Sequence, residues 1–197
     1  MENILAVFTT CLMLCFAFYY SFNVFKKKSK PALSTWIIMS TGTSLSFITY
    51  FLYSKLNLLG GILNFADAIS TVMIVIAVIL WSKSKVIFLS FEKYYLLFAS
   101  LIVVFWILSK NAFISNLLIQ AIIFTAYIPT IHKIIKNKKS SESLSSWLIA
   151  FFASFIALYP TIKSGNILSL IYIVRSITMQ SIIIGLTYFY NVKLSHE

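Results

Sequence analysis

Acidic residues are scarce in this 197-residue chain: five Asp and Glu stand against sixteen Lys and Arg, and only Asp67 falls inside an apolar run. An intramembrane enzyme would need a catalytic constellation, and Asp67 is the one acidic residue within a span, so enzyme activity is not expected. Glycine is down to five residues, too few for a phosphate-cradling loop. No Walker loop, dinucleotide fingerprint, zinc-protease helix or nucleophile elbow occurs, so no cofactor is expected. The two cysteines, Cys11 and Cys15, cannot build a disulfide scaffold. They sit four apart with no His or acid nearby, which argues against a metal and for small residues buried on a helix face. His132 and His196 lack a nucleophile or carboxylate at motif spacing. Charge is also low, 11% of residues, while aromatics reach 17%, which excludes intrinsic disorder.

What the chain has instead is apolar length. Sixty per cent of residues are apolar and the mean hydropathy is +0.92, well outside the range of water-facing domains. The chain therefore reads as an integral membrane protein. Crossing a ~30 Å hydrocarbon layer takes about 20 residues of helix. Long uncharged runs cover 3–25, 33–53, 58–81, 94–109, 112–131, 144–162 and 166–191. The first run lacks a basic n-region and a cleavage site, so it reads as a span rather than a leader. The fourth is short and preceded by a separate apolar patch at 86–91, so seven spans are expected and six is the alternative count. With the first connection cytoplasmic, the inside loops collect Lys26, Lys27, Lys28, Lys30, Lys83, Lys85, Lys93, Lys133, Lys136, Lys138, Lys139 and Lys193. Only Lys55, Lys110 and Lys163 remain outside. That asymmetry predicts an outside amino terminus and a cytoplasmic carboxyl terminus. It also explains the net charge of +11 by topology and anionic headgroups rather than nucleic acid.

An internal repeat divides the chain. Residues 27–36, KKSKPALSTW, align without gaps on 138–147, KKSSESLSSW. Six of ten positions are identical, at an offset of 111. The copies follow the first and fifth spans and open the second and sixth. Two parallel three-helix units are thus expected, 1–81 and 111–197, joined by 82–110 with one inverting span. In each copy the lysines end a helix where its carbonyls favour cations. Ser34 or Ser145 is expected to cap the next helix, and Trp36 and Trp147 to sit at headgroup depth. The Tyr19–Tyr20 and Phe16–Phe18–Phe22 group is expected to pack against lipid.

These lysine-to-tryptophan turns, with Tyr127-Ile128-Pro129-Thr130-Ile131 ahead of the second, resemble the PQ-loop repeat. It is shared by SWEET sugar transporters, cystinosin-type exporters and small bacterial seven-span proteins. The resemblance implies a 3+1+3 helix arrangement with a solute held between the bundles, lined by the third and seventh helices. Two positions depart from the pattern: the Pro-Gln pair is Pro129-Thr130, and Phe18 stands where the first half would carry its proline.

Parallel-repeat transporters bind at the repeat interface near mid-membrane in any case, so polar residues at that depth are the candidates. Asp67 and Arg175 lie about 10 and 13 Å into the third and seventh spans by helical rise. A lone charge at mid-bilayer costs at least ~2.5 kcal/mol, so the two are expected to pair or to face a water-filled cavity. They either serve a solute or form a bridge that fastens the bundles. Arg175 aligns with Asn64 at the repeat offset. The resemblance implies an asparagine on each of these helices in contact with solute; Asn64 matches the first and Arg175 replaces the second. A guanidinium favours an anionic or zwitterionic solute in bidentate contact, and Asp67 is a candidate proton carrier. Asn116 and Gln120, four apart, share a helix face that either lines a passage or glues helices together. Gln180 is a further candidate. Pro129 removes the donor to the Thr125 carbonyl and marks a hinge; Pro160 reads as a span end.

The expected function is secondary transport of a small polar solute by rocking two bundles about the site. A non-transporting receptor or scaffold of the same fold, like the KDEL receptor, is the alternative. The expected partners are a small-molecule solute and the lipid bilayer, with a homo-oligomer left open. The expected location is a bacterial cytoplasmic membrane.

Overall fold

The computed structural model describes residues 2–29, 31, 33–55, 58–82 and 90–191. Lys30, Lys83, Lys85, Lys193 and the side chains of Ser34, Lys93 and Pro129 lie outside the described residues. The described chain is all helical, with no strand: α1 (Glu2–Phe25), α2 (Leu33–Tyr53), a 3-10 turn (Leu59–Gly61), α3 (Ile62–Trp81), α4 (Ser90–Ser109), α5 (Ala112–Ala126), α6 (Ile128–Asn137), α7 (Leu144–Ser164) and α8 (Ile167–Asn191).

Among the described residues, five segments are long and apolar enough to cross a membrane: Glu2–Phe25, Leu59–Trp81, Ala112–Asn137, Leu144–Ser164 and Ile167–Asn191. A shorter apolar helix covers Leu97–Ser109. Helix α2 has the length, but eight Ser and Thr dilute its apolar character. Four of those hydroxyls, Thr35, Thr43, Ser46 and Thr49, are buried, so α2 carries its polar stripe inward. Outward-facing Ile4, Phe18, Leu80 and Leu108 are more than half exposed. A surface that apolar is soluble in lipid, not in water. The chain is a multi-pass membrane protein.

Helix α1 packs between α3 and α7, and α2 packs between α3 and α5. Helix α8 lies against α7, α5 and α6, while α4 covers the outside of α5 and α2. Small residues permit the closest approaches, as membrane interfaces require. Ala17 on α1 and Ala150, Ala153 and Ala157 on α7 are all buried. Gly42 on α2 admits Ile123 of α5; a Cβ there would lie 2.6 Å from Ile123 Cγ1. Most lysines described cluster at one end of the bundle, where α1 and α6 finish and α2 and α7 begin. Lys27 and Lys138 end their helices there with φ of 58° and 48°. Lys55 and Lys110 do the same at the opposite end, with φ of 53° and 52°, each placing a cation at a helix carboxyl terminus.

Several sequence expectations need correction here. Helix α7 starts at Leu144, so its cap is Ser143, whose hydroxyl accepts from the Ser146 amide at 3.3 Å; Ser145 is exposed. Trp36 and Trp147 are not headgroup anchors. They are 3% and 4% exposed and stack on each other, centroids 6.4 Å apart and planes 26° from parallel. The aromatic group on α1 splits by helical period: Phe16 and Tyr20 are buried in the same cluster, while Phe18, Tyr19 and Phe22 point outward. Cys11 and Cys15 belong to that outward face and are exposed. Finally, the fifth apolar run is two helices. The break falls at Tyr127, and α6 restarts with Pro129 in its first turn, a position where the missing N–H has no carbonyl to miss.

Candidate functional site

Polar side chains buried in an apolar bundle must find partners or leave groups unsatisfied, and here they converge on Ser46 of α2. The amide of Gln120 donates to Ser46 Oγ at 2.7 Å and that of Asn64 donates at 3.1 Å. Asn116 Nδ2 donates to the Ser46 carbonyl at 2.8 Å and to Thr49 Oγ1 at 2.9 Å. The hub thus joins α2, α3 and α5. Helix α8 enters through Arg175, whose Nε donates to Gln120 Oε1 at 2.8 Å. All four amide and guanidinium residues are at least nine-tenths buried.

Asp67 reaches this network indirectly. Its carboxylate accepts from the Tyr172 hydroxyl, and the Tyr172 ring lies under the Arg175 guanidinium, 4.6 Å from Cζ. The expected direct Asp67–Arg175 pairing is therefore replaced by a relay through one tyrosine. The cause is spacing on α8: Tyr172 and Arg175 are one turn apart on the same face, so the ring occupies the space between the charges. The cation–π contact partly offsets the burial of the guanidinium.

Three polar atoms at this level have no partner among the described residues: Arg175 Nη1, Asn64 Oδ1 and Ser169 Oγ. One is a strong donor, one an acceptor, and the hydroxyl can be either. Asn64 and Ser169 line a collapsed cleft with Gly60, Gly61 and Tyr172 towards the lysine-poor end.

Gln180 stands apart from the hub. Its Oε1 accepts from Ser154 at 3.0 Å, and with Asp67 and Thr71 it lines a cavity of about 10 Å³ beneath Trp36, Tyr127 and Trp147. That is room for one water molecule. Pro129 lies in the adjoining α6, close in sequence to Tyr127 but away from the amide hub. The site also takes in Ser46, Tyr172 and Glu142, which no sequence motif sets apart. Hydroxyls at 43, 46 and 49 recur every three residues, which is the signal that marks the inner face of α2.

Glu142 sits in the turn before α7. One carboxylate oxygen accepts from the Tyr20 hydroxyl at 2.9 Å and from the Trp147 indole at 3.1 Å. Burial pushes this carboxyl above the usual range, against the pull of those two donors and of nearby Lys133.

Comparison with protein-family models, with curated proteins and with solved structures finds no match to the chain. Its class is defined by fold and site alone: a multi-pass helical membrane protein with a buried, charged polar network between its helices.

Proposed function

We propose that this protein is a secondary transporter or facilitator of a small anionic or zwitterionic solute, built as seven spans in a 3+1+3 arrangement. In this reading α1–α3 form one unit, α5–α8 the other, with α5 and α6 together making one bent span and α4 joining the units. The packing supports it, because α1 against α7 and α2 against α5 are the pairs that an exchange of halves would interconvert. The lysine-rich end is cytoplasmic in this reading, which puts the amino terminus outside, and the membrane is a bacterial cytoplasmic one.

The observation that carries the proposal is the buried Arg175, whose Nη1 has no partner among the described residues, joined through Gln120 and Ser46 to Asn64, whose Oδ1 has none either. Leaving a buried charged donor unmade costs about 1–3 kcal/mol or more. A solute carboxylate would satisfy the first and an ammonium or hydroxyl the second. Tyr172, Gln120 and Ser46 would orient those two groups, and Asp67 would balance the charge or carry a proton. This reading takes the arrangement as the shut one, because among the described residues the cavities lined by Asp67 and by Glu142 each hold about one water. Transport then requires the halves to part, with the break at Tyr127–Pro129 as a hinge.

A thermal-shift screen of the purified protein across amino acids, organic acids, sugars and vitamins tests this, because a solute that binds only the folded state raises its stability. Stabilisation by carboxylate-bearing solutes, lost in Arg175→Gln, is the expected result. Stabilisation by neutral sugars alone, unchanged in Arg175→Gln, would overturn it. The scaffold or receptor alternative draws on one observation, the near-filled interface; it predicts that no small solute shifts the melting transition.

A further inference from the structure

We propose that Glu142 is a proton-binding latch that holds the two halves together at the lysine-rich end and sets whether that end is shut. The proposal rests on the transporter reading only in taking the halves to move against each other. Glu142 belongs to the turn between α6 and α7, yet one of its two donors, Tyr20, comes from α1 in the other half. Trp147 of α7 supplies the second donor to the same oxygen. Three residues beyond Tyr20, Asn23 adds a parallel tie by donating to Ser143 Oγ at 3.2 Å. Parting the halves at this end must break both ties.

A carboxyl holds a proton at such a place only if water can reach it, and the surroundings supply that route. Glu142 lines a cavity of about 10 Å³ together with Thr35, Thr130, Trp36, Tyr127 and Trp147. The Thr35 hydroxyl there is buried, 5% exposed, and has no hydrogen-bond partner among the described residues. An unpartnered hydroxyl, a carboxyl and a water-sized space make a proton site with a relay beside it. The same Trp36, Met39, Tyr127 and Trp147 wall bounds the Asp67 cavity on its other side. The two partly buried acids thus flank one aromatic partition, Asp67 towards the solute site and Glu142 towards the lysine-rich surface.

The titratable groups facing Glu142 are Tyr20 from α1, Tyr127 from the α5–α6 junction and Lys133 from α6, whose Nζ donates to Ser141 at 3.3 Å. Among the described residues, helices α2 and α8 bring Thr35, Trp36, Met39 and Ile183. Burial outweighs the donors and Lys133 and raises the carboxyl in the shut state. Once the latch opens, water returns the group to its ordinary range. The shut state therefore binds the proton more tightly, so acid shuts this end and rising pH releases it.

The experiment uses the full chain in liposomes on a Cys11→Ser, Cys15→Ser background, with Thr130→Cys as reporter. A membrane-impermeant maleimide is applied from the lysine-rich side across pH. Labelling is expected to accelerate several-fold with pH in the parent beyond the thiol's own titration, measured on the same reporter carrying Glu142→Gln. Glu142→Ala should label fast at every pH. Infrared difference spectra should show a protonated-carboxyl band that Glu142→Gln removes and Asp67→Asn retains. Identical labelling profiles for parent and Glu142→Gln, or a band abolished by Asp67→Asn alone, would overturn the latch. Neither readout needs a solute, so failure to find one leaves this test intact.

Discussion

Trp36 and Trp147 occupy the same place in two copies of one ten-residue turn, and their indoles stack 6.4 Å apart. In the proposed two-unit arrangement, equivalent residues touch only where the copies meet, so the pair would mark the seam between the halves. Phe16 and Tyr127, also 111 apart, both lean on Trp147, at 5.9 and 6.1 Å. Aromatic pairs of this kind contribute about 0.5–1.5 kcal/mol beyond the area they bury. A double-mutant cycle of Trp36→Leu and Trp147→Leu, followed by denaturant unfolding in detergent, should return a coupling energy in that range. Strict additivity would mean that the stack contributes packing area alone.

The Tyr172 hydroxyl holds Asp67, and its removal leaves a partly buried carboxylate without that donor. Tyr172→Phe should cost about 1–3 kcal/mol of unfolding free energy, the usual penalty for a buried acceptor left unmade. Asp67→Asn keeps an acceptor for the same hydroxyl and should cost less. In the combination, an amide tolerates the phenylalanine better than a carboxylate does, so Asp67→Asn should recover part of the Tyr172→Phe loss. A combination that is simply the sum of its parts would separate the two residues energetically.

How much of this could be read from the chain follows from how rare each residue type is in its setting. Arg175, Asn64, Asn116 and Gln120 stand out because polar groups in long apolar runs are costly, and the structure brings those four into one network. Gln180 stands out equally but belongs to a neighbouring cavity. Ser46 and Tyr172 complete the network without standing out, since hydroxyl and tyrosine side chains are ordinary in membrane helices. The repeat revealed the two tryptophans but not their burial. An indole near a helix start suits a headgroup anchor as well as a seam, and only tertiary packing chooses between them. Glu142 was hidden for the same reason, as one acid in a lysine-rich turn whose donors lie on α1 and α7.

The contact of α2 with α5 depends on the absence of a side chain at Gly42. A Cβ placed there meets Ile123 Cγ1 at 2.6 Å, and Ile123 is fully buried, so it has little room to retreat. Gly42→Ala should destabilise the protein by about 1–3 kcal/mol, the common cost of overpacking a well-filled core. With Ile123→Ala, the double variant should lose less than the sum of the two single variants, because the smaller side chain relieves the overlap. Thermal unfolding of the two single variants and the double variant checks this, and a neutral Gly42→Ala would show that the helices can shift apart freely.

Stability should also depend on pH through Glu142, and the sign can be worked out. Burial raises this carboxyl in the folded protein above its value in the unfolded chain. The folded state therefore binds the proton more tightly, and the associated stability is fully present below the unfolded pKa. It is lost as pH rises from there through the raised folded value. Other groups titrate over the same window, so the informative quantity is the difference between the parent and Glu142→Gln, which has no proton to lose at this position. Melting temperatures of both proteins, taken in the same detergent across mildly acidic to neutral pH, should diverge as pH rises, the parent falling relative to the variant. Tyr20→Phe removes a donor that favours the charged form, so it should raise the carboxyl further and move the divergence to higher pH. Parallel curves for parent and Glu142→Gln would mean that Glu142 meets water as freely in the folded protein as in the unfolded chain.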